Sequence, residues 1–315
     1  MLNSWAQSRA LSQWHRLHFS FHPRSFSTTL NDAAKLRAAQ TYCKDLVRKH
    51  DYENYLVSLF YPGSLRSAQL ALRAFNIELA SVREQVSNPL SGKMRMQFWR
   101  DAIDQIYANN PPHHPVALSL AHSLQDLKLS SSWFKRLVTA REENLEDPQY
   151  ITTADMETYA EHTASCLIYL SLEMLGVHDI DADHIASHLG KAVGIATMLR
   201  SLPFHASQRR LVLPVETSAK HNVSQEDVFR NGNSHELQDA VFEVASAAHS
   251  HLQHSRSLFS KTTSRALPAF LHAIPSRNYL LRLEKSDFNV YDPSLASKDW
   301  KLPLELWNAY RTGTI

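Results

Sequence analysis

The sequence predicts a nearly all-α globular protein, and two observations support this fold class. Only 7 of the 315 residues are glycine and 13 are proline, so the residues that turn-rich β structure requires are scarce. Leucine, alanine, glutamate, glutamine and arginine recur at spacings of three and four residues, which is the period of a helix that buries one face. We therefore predict eight to ten helices and no sheet.

Residues 1–26 have the composition of a mitochondrial presequence, because they combine several serines with a complete absence of acidic residues. Their basic residues are Arg9, Arg16 and Arg24. The stretch RSFST places Arg24 at the third position before a cut after Phe26. A disordered N-terminal tail is the alternative interpretation. Residues 27–45 are then predicted to form a lead-in helix.

The basic excess of the chain is concentrated in this leading segment. The whole chain has 33 Lys and Arg against 31 Asp and Glu, and without residues 1–26 it has 30 against 31. A near-neutral remainder lacks the basic face by which proteins bind nucleic acid, so we expect no nucleic-acid partner. No window approaches the roughly 20 apolar residues of a membrane span.

The remaining chain reads as one domain of amphipathic helices. Two stripes of apolar residues stand out, one over residues 65–75 and one over 185–199. We predict that Asp181 and Ser234 cap two long helices. Small residues between positions 186 and 197 predict that another helix or a ligand approaches closely there.

Histidine is abundant, which raises the question of a metal site. His184 and His188 lie one helical turn apart, as zinc ligands on a helix do, and His249, His251 and His254 form a second cluster. Neither cluster includes the glutamate of a metalloprotease motif, and solvated polar faces are the simpler interpretation. No serine-hydrolase, phosphate-loop or dinucleotide-binding motif is present. We therefore expect no catalytic residue, no metal and no cofactor.

Five segments occur in an order that resembles the squalene/phytoene synthase family. They are YLVSLFYPGSLRSAQLALRAFNIE, MRMQFWRDAIDQIY, HPVALSLAHSL, YAEHTASCLIYLSLEMLG and HLGKAVGIATMLRSLPFHASQRRLVLP. The resemblance covers residues 46–290 and implies a single helical domain of the isoprenoid-synthase type. Catalytic members of this family join two prenyl diphosphates, and Mg²⁺ ions held by two aspartate-rich motifs neutralise the departing diphosphate.

The first of these motifs is degenerate in this chain. The family has two adjacent aspartates and a third three residues later, after an Ala-Phe pair. When Ala74 and Phe75 serve as the anchor, these positions hold Ala80, Ser81 and Glu84. The resemblance therefore implies that one carboxylate of the three is retained.

The second motif has lost its expected carboxylates altogether. This chain is aligned with the family's second motif at Arg200, Arg210 and the Leu-Pro pair at 213–214. The family's polar and acidic positions then hold Gly194, Thr197, Ser201, Phe204 and His205. Pro203 lacks the N–H that a helix interior needs, so we predict that the helix bends or ends near Leu202.

Within the family, NYLVSLFYP, RAFNIELA and MRMQFWRDAI most resemble members that act in the assembly of mitochondrial respiratory complex I. This resemblance implies a non-catalytic protein on the matrix side of the inner membrane, whose partners are complex I subunits or other assembly factors. The alternative is an active prenyl or lipid transferase that binds diphosphate through Arg200, Arg209 and Arg210 instead of Mg²⁺. Those arginines could equally be solvated charges at a helix end.

The C-terminal segment, residues 291–315, is amphipathic. Trp300, Leu304 and Trp307 recur at helical spacing, and basic residues flank them. Such a segment can lie in a membrane interface, with its indoles at the level of the lipid headgroups. The alternative is a terminal helix whose tryptophans belong to the protein's own core. Pro303 fits the first turn of a helix in either case.

Overall fold

The structure is a computed structural model that describes residues 24–86, 88–146 and 149–315, with side chains from Asp32 onward. The predicted presequence lies almost wholly outside the described residues, and no side chain is described at the predicted cut after Phe26. The chain divides into two units, Met1–Lys35 and Leu36–Ile315. The candidate site lies entirely within the second unit.

The described part of the chain is mostly helical and contains no strand, as the sequence predicts. Its α-helices are α1 (Arg24–His50), α2 (Tyr52–Ser58), α3 (Arg66–Gln85), α4 (Pro89–Tyr107), α5 (Pro115–Asp126), α6 (Ser131–Glu143), α7 (Thr153–Ala160), α8 (Cys166–Met174), α9 (Ile180–Ser207), α10 (Val215–Lys220), α11 (Gln225–Asn231), α12 (His235–Leu258), α13 (Leu267–Phe270), α14 (Ala273–Lys285), α15 (Pro293–Ala296) and α16 (Leu302–Thr312). A π-helical turn, Glu161–Ser165, joins α7 to α8, and two 3₁₀ turns, Phe259–Lys261 and Ser264–Ala266, follow α12.

The predicted number of helices is too low for the described residues. Nine of the helices have eleven residues or more, and these correspond to the eight to ten that the periodicity predicts. The rest have four to nine residues. Such short helices span too few turns to show a 3.6-residue period, so the sequence pattern misses them.

Helix α9 is the central element of the second unit, and it packs against α7, the π turn, α12 and α14. Its predicted apolar stripe is buried, with Ile185, Leu189 and Leu199 fully inside. A Cβ atom at Gly190 would overlap the backbone of Ser165 in the π turn. The small residues of α9 therefore allow a close approach, and at Gly190 the close neighbour is the π turn and not a ligand.

The helix caps confirm one prediction and correct another. Ser234 caps α12, and its hydroxyl accepts a hydrogen bond from the Leu237 N–H at 3.2 Å. Asp181, in contrast, is not a cap. Helix α9 begins at Ile180, and Asp179 is the cap, accepting from the Asp181 N–H at 3.2 Å. Two aspartates two residues apart are equally good caps on sequence grounds, so local chemistry does not select between them.

Of the two outcomes predicted at Pro203, a bend or an end near Leu202, the end is wrong, because the helix continues through Pro203 to Ser207. Proline removes one backbone hydrogen bond, but Leu202 and Ala206 on either side of it are buried in the core. Burial of these side chains holds the last turn in place.

Among the described residues, no helix carries an apolar run long enough to cross a bilayer.

Candidate functional site

The eight degenerate motif positions line one cavity of about 560 Å³. Helix α3 contributes Ala80, Ser81 and Glu84, and α9 contributes the other five. Those five are Gly194, Thr197, Ser201, Phe204 and His205. The two segments are far apart in sequence, and the fold brings them together. A volume in the range of about 300 to 1,000 Å³ is typical of small-molecule sites.

Every carboxylate that lines the cavity, among the described residues, forms an ion pair with an arginine. Glu84 accepts from Arg210 Nη2 at 3.2 Å to each carboxylate oxygen. Glu53 accepts from Arg200 at 2.7 Å. Asp51 accepts from Arg73 at 2.6 Å. A metal ion would have to compete with a guanidinium for each of these groups.

Asp51 also belongs to a buried hydrogen-bond chain. His272 Nδ1 lies 2.6 Å from Asn54 Oδ1, and Asn54 Nδ2 donates to Asp51 Oδ1 at 2.7 Å. Burial, followed by the charge of Arg73, lowers the pKa of His272 to about 3. The imidazole is therefore neutral at physiological pH and donates from Nδ1 to the amide oxygen. This chain fixes Asp51 as the partner of Arg73.

The three arginines proposed as phosphate contacts do not come together. Arg200 lines the cavity and Arg210 reaches the cavity through Glu84. Arg209 instead pairs with Glu226 of α11 at 2.6 Å and lies over the ring of Phe229. The backbone of Arg209 has a φ of 57°, a left-handed turn that directs its side chain away from that of Arg210.

Besides Arg73, two further arginines that the sequence analysis did not identify line the cavity. Arg83 of α3 donates to the carbonyl oxygen of Asn144 at 3.0 Å. Arg141 of α6 donates to the Tyr159 hydroxyl at 2.8 Å and to Asn76 Oδ1 at 3.2 Å. Within the described part of the chain, neither has a carboxylate within ion-pair distance. Arg83 falls inside the first motif segment, whereas Arg141 carries no sequence signal.

A second arginine, Arg210, lies near Arg83. Burial, and then the charge of Arg210, lowers the pKa of Arg83. Burial and Arg210 likewise lower the pKa of His205, which keeps this imidazole neutral. The Nδ1 atom of His205 is buried and has no hydrogen-bond partner among the described groups. This end of the α9 motif therefore offers a neutral imidazole where catalytic members place a carboxylate.

His188 joins His251 and His254 in one cluster, whereas the sequence pairs it with His184. His188 of α9 lies with its Nδ1 2.8 Å from Nδ1 of His251 on α12, and its ring is 4.2 Å from that of His254. His251 Nε2 contacts a carboxylate oxygen of Glu157 at 3.2 Å. His249 faces elsewhere and contacts Gln253. Burial, then the neighbouring histidines, lowers the pKa of His188 to about 4. Across the described residues, no group of three or more His, Cys, Asp or Glu is arranged to hold a metal.

The helical fold and the paired motif helices around one cavity define a protein of the isoprenoid-synthase type. The family model for squalene/phytoene synthase matches residues 47–308, and the chain therefore belongs to the squalene/phytoene synthase family. The match extends past residue 290 into the C-terminal segment. A solved dehydrosqualene synthase in complex with ligand superposes with a TM-score of 0.78, covers 90% of this chain and 98% of its own, and is 17% identical. At that identity the superposition shows the fold alone.

Relatives of much higher identity have a different name. A Rattus norvegicus protein called NADH dehydrogenase (ubiquinone) complex I, assembly factor 6 is 46% identical over 266 residues, which are 84% of this chain and 80% of that protein. The Bos taurus protein of the same name is 43% identical over 305 residues, which are 96% of this chain and 89% of that protein.

Proposed function

We propose that this chain is a non-catalytic member of the squalene/phytoene synthase family that acts in the assembly of mitochondrial respiratory complex I. The relatives named as complex I assembly factor 6 support this role, because they match most of the chain at 43–46% identity. The structural observation that carries the non-catalytic part is the pairing of Asp51, Glu53 and Glu84 with arginines.

The chemistry of diphosphate departure explains why this pairing matters. A leaving diphosphate carries several negative charges, and bridging Mg²⁺ ions require free carboxylate oxygens on both motif helices. Here α3 supplies Glu84 alone, and α9 supplies hydroxyls, an imidazole and a phenyl ring at the matching positions. Arg210 already occupies both oxygens of Glu84. The ligand set for a two-helix metal clamp is therefore incomplete.

The competing function is a prenyl or lipid transferase that uses arginines in place of Mg²⁺. Two of its three proposed arginines already form ion pairs with carboxylates of the protein, because Arg200 pairs with Glu53 and Arg209 pairs with Glu226. An assay separates the two functions. The full chain is incubated with prenyl diphosphates and Mg²⁺, and pyrophosphate is measured. We expect no release above buffer, and release together with a new hydrocarbon would refute the non-catalytic role.

We propose further that the protein acts on the matrix side of the inner membrane. Residues 1–26 are the proposed presequence, with the cut after Phe26. The assembly partners would be complex I subunits or other assembly factors. Sequencing the N-terminus of the protein from mitochondria tests the import step. A start near residue 27 is expected, and an uncut chain would contradict it.

A surface on the C-terminal helix and the turn before it supports a peripheral membrane contact. We call the exposed residues Trp300, Leu304, Trp307 and Tyr310 the aromatic surface. Trp300 is 80% exposed and Trp307 50% exposed, so the alternative in which these tryptophans belong to the core is wrong. Leu302 and Leu306 face inward and hold α16 on the domain. Lys301 and Arg311 lie over the two indole rings, at 5.4 and 5.1 Å. Indoles beside cations suit an anionic lipid headgroup layer.

A further inference from the structure

A groove on the molecular surface lies between α3, α4 and the start of α5, and the described residues that line it differ from those of the cavity. Its volume is about 280 Å³, and the buried residues Val82 and Trp99 form its floor. Along one side, α4 presents Leu90, Met94 and Phe98, of which the first two are 70% and 67% exposed. Residues four apart share one face of a helix. We call these three residues the α4 face, and a contiguous apolar surface of this kind is typical of a protein contact.

The groove also contains one acidic and one basic side chain, and among the described residues neither forms an ion pair. Glu78 of α3 accepts a hydrogen bond from the Tyr42 hydroxyl at 3.0 Å. Arg95 of α4 donates to Gln85 Oε1 at 2.6 Å. Burial lowers the pKa of His114, so this imidazole is neutral at pH 7 and supplies no cation to Glu78. The groove therefore presents one uncompensated charge of each sign.

The two charges lie toward opposite ends of the groove. Arg95 reaches Gln85, which follows Glu78 by seven residues on α3, and seven helical residues span about 10 Å. A two-fold axis through the middle of the groove would exchange its ends. Arg95 of one copy would then meet Glu78 of the other, and the contact would occur twice. The same axis would place the two α4 faces against each other, so the surface is self-complementary.

We propose that the α4 face, together with Glu78 and Arg95, binds a second copy of this chain in a two-fold symmetric dimer. A lipid surface or a nucleic acid presents negative charge, which Glu78 would repel. A second copy supplies an apolar face and both charges in the required arrangement. This proposal goes beyond complex I assembly and does not depend on it.

Sedimentation equilibrium of the full chain tests the proposal. The contact surface is small, so the protein concentration should extend from about 1 to 100 µM. We expect a reversible equilibrium between monomer and dimer. Arg95→Glu brings two carboxylates together at each contact, and Glu78→Arg brings two guanidiniums together. Each single variant should therefore weaken dimerisation about tenfold or more.

An equimolar mixture of Arg95→Glu and Glu78→Arg is the most specific measurement. In the mixed dimer one copy carries two acids and the other two bases, so both contacts again join opposite charges. The mixture should dimerise about as well as the unsubstituted protein, and failure to recover would overturn the proposal. Arg256→Glu is the matched control, because Arg256 is exposed on α12 and does not line the groove. Alone it should dimerise normally, and mixed with Glu78→Arg it should give no recovery.

The apolar part of the contact has its own test. Leu90→Gln combined with Met94→Gln should weaken dimerisation about tenfold or more, because the α4 face loses apolar area. Ile180→Gln is the matched control, since Ile180 is 71% exposed at the start of α9. A monomer at every concentration would overturn the proposal and leave the groove to a different protein. Association that persists unchanged in the charge and α4 variants would also overturn it, because a different surface would then be responsible.

Discussion

Arg210 Nη2 lies 3.2 Å from each carboxylate oxygen of Glu84, and this ion pair joins α3 to the segment that follows α9, across 126 residues of sequence. In a catalytic relative the two motif helices would be bridged by metal ions. Here a side-chain pair connects the first of them to the segment after the second. The cavity is thus framed by permanent protein charges, and its surplus charge is positive rather than negative.

Replacing Glu84 with alanine should leave complex I assembly intact, because a carboxylate already held by an arginine is not needed as a metal ligand. The loss in the free energy of unfolding should be about 1 kcal/mol or less, as for a partly exposed ion pair. Complex I on native gels and a urea titration measure the two effects. Glu226→Ala, which breaks the Arg209 pair outside the cavity, is the matched control. Failed assembly with a stably folded Glu84→Ala protein would indicate a surviving metal site.

Gly190→Ala should destabilise the domain by about 1 to 3 kcal/mol, since the new methyl would overlap the Ser165 backbone and force α9 away from the π turn. Gly63 provides the matched control, because a Cβ there meets no atom within 4 Å. Urea unfolding of the two variants compares them directly. Equal stability of Gly190→Ala and Gly63→Ala would show that the close approach of these helices is incorrect.

Lowering the pH from 7 to 5 should destabilise the protein through His272. The folded pKa of about 3 lies below the ordinary value of 6.5, so the unfolded chain binds a proton that the folded protein excludes in that range. Stability from this group is complete above pH 6.5 and falls as the pH drops, by about 2 kcal/mol at pH 5. His272→Gln should lose this part of the pH dependence in urea titrations. An unchanged dependence would mean that His272 protonates in the folded protein.

The aromatic surface should bind membranes without contributing to the core. Trp300→Ala combined with Trp307→Ala should keep the melting temperature near that of the unsubstituted protein and reduce co-sedimentation with cardiolipin-containing vesicles. Trp99→Ala is the contrasting control, because Trp99 is buried beside Phe75 and its removal should reduce stability by about 3 to 5 kcal/mol. Unchanged vesicle binding in the double variant would contradict the membrane contact.

The sequence predicted the helical class, the stripe of α9 and the Ser234 cap of α12, because each depends on local periodicity or capping chemistry. It did not decide whether α9 continues past Pro203 or ends there, because the continuation depends on burial of neighbouring side chains. The sequence periodicity also did not predict the short helices. These helices span too few turns to show a helical period.

The residues of the candidate site were likewise predicted only in part. Alignment with a family motif placed Glu84 and His205 on one cavity, although they are distant in sequence. No local sequence pattern indicated Arg141. Its place in the cavity wall, and its pairing with Tyr159 and Asn76 instead of a carboxylate, are visible only in the fold. The adjacent residues Arg209 and Arg210 have different partners, Glu226 and Glu84, because the backbone at Arg209 is left-handed. Two neighbouring arginines in a sequence do not indicate such a backbone conformation.

The most direct test of the central claim is the amount of assembled complex I on native gels after deletion of the gene. We predict a loss of assembled complex I in the deletion strain, and its recovery when the full chain is expressed again. Normal levels of complex I in the deletion strain would contradict the proposed function.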